Sequence, residues 1–132
     1  MKLLVLIILI VAVVLGFKTY RTLSGSEAPL VPAELYKILS VEDWEASKFL
    51  PRIKRGTMDQ DFIHLATREQ LRGVRDKFWA EAKTYVVLSL SPSALSGRLV
   101  LESNPGGSSK YYHLYDGEIP HGAVSAVKTV QR

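Results

Sequence analysis

The chain has 132 residues, 47% hydrophobic and 23% charged, with a formal net charge of +4 at pH 7. Setting aside Lys2, Lys18, Arg21 and Glu27, which flank an apolar start, leaves fourteen basic against twelve acidic residues, a balance too mild to imply a nucleic-acid partner. The absence of cysteine excludes disulfides, thiolate metal ligands, a cysteine nucleophile and lipidation at cysteine.

Residues 3–17, LLVLIILIVAVVLGF, are apolar on every side, which no surface helix of a small domain can be. As a helix the run would reach about 22 Å. Continued to Leu23, with Lys18 able to snorkel and Tyr20 suited to an interfacial belt, it reaches about 31 Å and matches a hydrocarbon core of roughly 30 Å. Residues 1–23 therefore read as a single-pass membrane anchor. The alternative is a secretory signal removed on export, for which Lys2 and the apolar core are suitable but Lys18 and Arg21 intrude on the cleavage region. Orientation stays open, because basic groups on the two sides balance. Residues 24–33, with glycine, serine and proline, read as a linker, and residues 34–132 as the folded domain.

Within the domain, ELYKIL at residues 34–39 has strand composition, apolar on both faces. Ser40 is placed to cap a helix from Val41 to about Leu50, with Asp43 in its first turn, Trp44 as its core anchor and Pro51 ending it. A polar loop leads to the strand FIHLA. Thr67 and Gln70 then form a Thr-x-x-Gln capping box, after which Leu71, Val74, Phe78 and Ala82 recur at helical spacing as a core face. Arg68, Arg72 and Arg75 share another face, which reads as a solvated helix side. Strands follow at TYVVLSL, at residues 98–102 before an NPGGSS turn, at KYYHLY before Asp116-Gly117, and at residues 124–130. Two helices early and a run of strands late imply an α+β domain built on a small, mostly antiparallel sheet.

Three histidines, His64, His113 and His121, invite a zinc site, but no H-x-x-x-H or H-E-x-x-H pair occurs, and none is assigned. NPGGSSK lacks the phosphate-loop pattern, and no G-x-S-x-G elbow supports a serine relay. What remains is a polar set on apolar strands, Lys37, His64, Glu102 and His113, with Tyr111, Tyr112 and Tyr115 nearby. Each by itself can be a solvent-facing position or a satisfied core group. Together, a carboxylate, two imidazoles and a cation beside aromatic faces suit a nucleotide or sugar ligand.

The succession LYKI, a tryptophan, FIHLAT-x-x-Q, L-x-L, a strand ending in glutamate, HLY-x-G and A-V-x-A-V resembles the family known as domain of unknown function 952, over residues 34–130. That resemblance implies a small α+β domain similar to the catalytic fold of ADP-ribosyltransferases and RNA 2′-phosphotransferases, with no activity settled. His64 and Thr67 match the FIH-x-[ST] element, Glu102 the strand-end glutamate, and His113 with Tyr115 the H-[LF]-Y element. Lys37 stands where members usually carry histidine, and Tyr111 and Tyr112 replace a common phenylalanine and proline. By that comparison the first-strand position holds a ribose of NAD and the late glutamate steadies the ribosyl cation; lysine retains a donor there but cannot accept a hydrogen bond.

The sequence thus implies a membrane-anchored domain that binds a nucleotide-like ligand, with NAD as a candidate substrate of ADP-ribosyltransferase-type transfer. Glu102, His64 and His113 are the candidate catalytic groups, and Lys37, Thr67 and Tyr115 the ligand-binding ones. The competing reading is a non-catalytic, membrane-tethered binding or scaffold module. Catalysis requires a hollow lined by Lys37, His64, Glu102 and His113; the scaffold reading requires those side chains separated or sealed by partners.

Overall fold

A computed structural model describes residues 30–132. The expected anchor at residues 1–23 and the first part of the linker lie outside the described residues. Among those described, no helix is long and apolar enough to cross a membrane.

Strand β1, Leu35–Leu39, is buried at all five positions, as its apolar residues on both faces require. Ser40 then caps helix α1, Val41–Ser47, accepting from the Asp43 N–H at 3.0 Å. The helix is shorter than the expected run to Leu50. The residue before Pro51 is disfavoured in helical conformation, and residues 47–50 close instead as turns from Phe49 N–H to the Ala46 carbonyl and from Leu50 N–H to the Ser47 carbonyl. Strand β2 is only Ile63–Leu65.

Helix α2, Leu71–Phe78, begins later than the capping box implies. Only half of that box forms: Gln70 Oε1 accepts from the Thr67 N–H at 3.0 Å, and Gln70 Nε2 donates to the Lys110 carbonyl at 2.7 Å. Side-chain bonds thus spend Gln70 on tying the helix start to the neighbouring chain. The expected core face is also corrected, because α2 contains no fully buried residue and Phe78 is 42% exposed. The arginine face is solvated at Arg68, which pairs with Glu34 at 3.0 Å while 73% exposed, and at Arg72, and is half-buried at Arg75.

Four strands complete the fold: β3 at Thr84–Leu90, β4 at Arg98–Ser103, β5 at Lys110–Tyr115 and β6 at Val124–Gln131. The one small sheet expected from sequence is in fact two antiparallel three-stranded sheets, ordered β1-β3-β6 and β2-β5-β4. Among the described residues they meet at one bridge, where Tyr36 and Ala66 exchange backbone bonds of 2.8 and 2.9 Å. Leu35, Leu39, Val86, Leu88 and Leu90 from one sheet and Ile63, Leu65, Tyr112 and Leu114 from the other form one buried cluster with Ile53, Ile119 and Ala123. Full burial of a leucine is worth about 1.5–3 kcal/mol, so this cluster is what holds the sheets together.

The connection before β4 turns at Gly97, whose φ of 104° is left-handed and whose missing Cβ would meet the Tyr115 carbonyl and Gly117. Glycine there lets the start of β4 lie against the end of β5. Asp116 adopts φ 51°, consistent with the turn signal at Asp116-Gly117.

Candidate functional site

The two sheets part just beyond the Tyr36–Ala66 bridge. In an extended strand the backbone groups of residues two apart point to the same side, so His64, two before Ala66, aims its N–H and carbonyl at the gap toward β1. Side chains meet them in place of another strand. Asp59 Oδ1 accepts from the His64 N–H at 3.1 Å, and Lys37 Nζ donates to the His64 carbonyl at 3.1 Å. Asp59 Oδ2 and Lys37 Nζ close the arrangement as an ion pair.

Both charges are buried, with Lys37 8% and Asp59 2% exposed. Lys37 sits inside because β1 places it on the same face as Leu35 and Leu39, where a lone ammonium is unacceptable without a counter-charge. Burial pulls the Lys37 ammonium below the ordinary lysine range while Asp59 opposes it. For Asp59, burial alone pushes the carboxyl up, but the hydrogen bonds from His64 and the Lys37 charge outweigh it and hold the group below its ordinary value. Asp59 is therefore a carboxylate at neutral pH. Its Oδ1 also meets His64 Nδ1 at 2.9 Å, so one oxygen anchors both the backbone and the ring of that histidine.

His64 faces His113 across the β2–β5 pairing, and the two rings meet edge-on with centroids 5.2 Å apart. His113 is fully buried. Phe62 stacks on it at 4.0 Å and lies 4.7 Å from His64 and 5.1 Å from Tyr115. His113 Nδ1 lies 2.9 Å from Glu102 Oε1, an oxygen that also accepts from the Tyr115 hydroxyl. Those bonds, first from Tyr115 and then from His113, hold the Glu102 carboxyl below its ordinary value, and the same contact with Glu102 raises the Tyr115 hydroxyl. His113 Nε2 is buried without a partner.

A cleft of about 820 Å³ opens at the parting of the sheets. Its wall includes Tyr36, Lys37, Asp59, His64, Tyr111 and the loop at residues 104–109. Val74 and Phe78 of α2 also line it, which accounts for the incomplete burial of that helix: its apolar face borders a hollow, not the core.

Of the residues singled out in sequence, Lys37 and His64 line the cleft, whereas Glu102, His113 and Tyr115 form a separate bonded group behind Phe62, joined to His64 only through the stacked rings. Thr67 lies in the turn after β2, its N–H held by Gln70, and is not part of the cleft wall. His121 is remote from both groups, with Nε2 2.9 Å from the Leu50 carbonyl. Among the described residues no group of three or more histidines or carboxylates is arranged to hold a metal ion.

Sequence reasoning missed Asp59 and Phe62. Asp59 stands in an aperiodic polar loop beside Asp61, and nothing local distinguishes the carboxylate that is buried from the one that is not. Phe62 was legible only as an apolar member of a strand.

Residues 38–127 match the family described as Protein of unknown function (DUF952). Among solved structures, crystal structures of protein CC0527 from Caulobacter crescentus and of a double mutant of it are each 28% identical to this chain, with a TM-score of 0.63, over 73% of this chain and 84% of theirs. A solution NMR structure of the same bacterial protein is 27% identical over 74% of this chain and 84% of its own, with a TM-score of 0.57. No curated protein gives a significant match.

Proposed function

This chain belongs to the family of unknown function 952, and from that premise we propose that its domain binds a nucleotide-like ligand in the cleft at the parting of the two sheets. The observation that carries the reading is the cleft itself. Its volume, about 820 Å³, falls in the range of ligand sites, and a few convergent polar groups stand in it among aromatic and apolar walls. Tyr111 offers a face for a base, while Lys77 and the serines of residues 104–109 offer donors for phosphate or hydroxyl oxygens.

NAD, an ADP-ribosyl group or a phosphorylated ribose is the ligand class that the resemblance to ADP-ribosyltransferases implies. Transfer chemistry at Glu102 is not carried by this cleft: of the four residues it needs in one hollow, only Lys37 and His64 line the wall, while Glu102 and His113 are bonded to each other outside it. A second reading, a non-catalytic module, is supported by Glu102, His113 and Tyr115 spending polar atoms on one another. Under either reading the apolar run at residues 3–17 presents the domain at a membrane.

The test is calorimetric titration of NAD and ADP-ribose into the full chain in detergent micelles, beside Tyr111→Ala and Glu102→Gln. Saturable binding weakened in Tyr111→Ala by the about 1–3 kcal/mol typical of a lost stacking platform supports the cleft. No binding of either compound refutes the proposal. Glu102→Gln should bind as wild type does, because Glu102 lies outside the cleft, and NAD consumption by wild type that Glu102→Gln lacks would overturn that separation.

A further inference from the structure

We propose that Asp59 is a positioning residue that holds His64 as a hydrogen-bond acceptor for a hydroxyl of the bound ligand, so that the cleft selects a ribose and not merely a planar base. The inference deepens the nucleotide-like reading above and rests on it. A carboxylate carries no proton, so the contact at 2.9 Å between Asp59 Oδ1 and His64 Nδ1 puts the single proton of a neutral imidazole on Nδ1 and leaves the lone pair on Nε2. The anchor is rigid, because the same oxygen takes the His64 backbone N–H at 3.1 Å and the other oxygen is fixed by Lys37.

Packing settles which way the ring faces. Phe62 at 4.7 Å and His113 at 5.2 Å hold it from one side, and a ring flip would set a carbon where Nδ1 meets the carboxylate. The His64 side chain is 32% exposed and lines the cleft, and Nε2 has no hydrogen-bond partner among the described residues. The contrast with His113 is instructive, since that ring is sealed beneath Phe62 and belongs to Glu102.

Three of the ionisable groups near His64 and on the cleft wall are already engaged, which leaves Lys77 and Tyr111 as wall groups open to the ligand. Lys37 is committed to Asp59 and the His64 carbonyl, His113 to Glu102, and Asp43 on the cleft wall to Lys54 at 2.9 Å. An acceptor held ready in a partly desolvated wall discriminates for a donor, because an analogue without the hydroxyl leaves it unpaired.

The experiment titrates AMP and its 2′,3′-dideoxy analogue into the full chain in detergent micelles, with 15N NMR of the His64 ring in parallel. Wild type should bind AMP about three- to tenfold more tightly than the dideoxy compound, the worth of one neutral hydrogen bond. Asp59→Asn should bring that ratio to about one. An amide cannot replace both oxygens: with its oxygen toward His64 its N–H2 group is set against the Lys37 ammonium, and with its N–H2 group toward His64 it meets the backbone N–H, so either way the ring loses its fixed anchor. Equal affinities in wild type, or an Nε2-protonated ring in its NMR spectrum, overturn this inference and leave the binding reading standing. Failure to bind AMP, NAD and ADP-ribose overturns the reading beneath it and this one with it. Should Asp59→Asn fail to fold, the wild-type ratio and ring spectrum decide alone.

Discussion

Replacing Asp59 with alanine should remove a large share of the domain's stability. The loss leaves the Lys37 ammonium, 8% exposed, without a counter-charge and deprives the His64 N–H of its acceptor. Breaking a buried ion pair by removing one partner costs about 3–5 kcal/mol, against a total of about 5–15 kcal/mol for a domain. Lys37→Met should cost a similar amount, since Asp59 is then buried with only His64 to meet it. The double variant should cost less than either, about 1–3 kcal/mol, because what then remains is an unsatisfied His64 N–H and carbonyl with no stranded charge. Urea unfolding of the full chain in detergent micelles, followed by the fluorescence of Trp44 and Trp79, measures all three. If the two single losses simply add in the double variant, the ion pair is not what fills the parting of the sheets.

The same group sets a pH dependence. The folded Asp59 carboxyl lies below its unfolded value, so its contribution is present in full above about pH 4 and is lost as pH falls through the folded value. Acid unfolding of wild type should therefore show a drop below about pH 4 that is shallower in Asp59→Asn; superimposable acid limbs contradict this. Gly97→Ala should destabilise by at least about 2 kcal/mol in the same urea assay, through left-handed strain together with contact against the Tyr115 carbonyl and Gly117, and a neutral result would show that this junction relaxes freely. Tyr115→Phe should let the Glu102 carboxyl rise toward the ordinary range, because the lost hydroxyl is the strongest influence holding it down. A 13C titration of Glu102 reads this directly, and an unmoved midpoint would discount the bond.

The strands were legible in the sequence because strand signals are local. LYKIL, TYVVLSL and KYYHLY carry the β-branched and aromatic residues that a half-buried pleat accepts, and Gly and Pro mark their ends. The helix at Val41 was legible through Ser40, whose cap bond needs only the next three residues. Misjudged features depended on distant partners. Gln70 makes its own half of the capping box to the Thr67 N–H, but its amide also donates to the Lys110 carbonyl forty residues away, and the regular helix begins only at Leu71. Periodicity makes the apolar stripe of α2 look like a core face because it says which side is apolar and not what lies opposite; here a cleft does.

The candidate site divides in the same way. Residue type alone picked out Lys37, His64, Glu102 and His113, since a charge or an imidazole on an apolar strand must be partnered or must face a hollow. Which of them share a hollow, and that Asp59 is the partner joining two of them, depends on where two sheets diverge. Covalent neighbours and pleat alternation determine strand faces within a few residues, so the chain by itself settled its strands, its capped first helix and its polar outliers. Pairing across the β1–β2 gap joins Lys37 to residues 22 and 27 positions later, and only the folded chain decides between partners separated by such loops, because many closures are nearly equal in entropy and the burial of two opposite charges selects one.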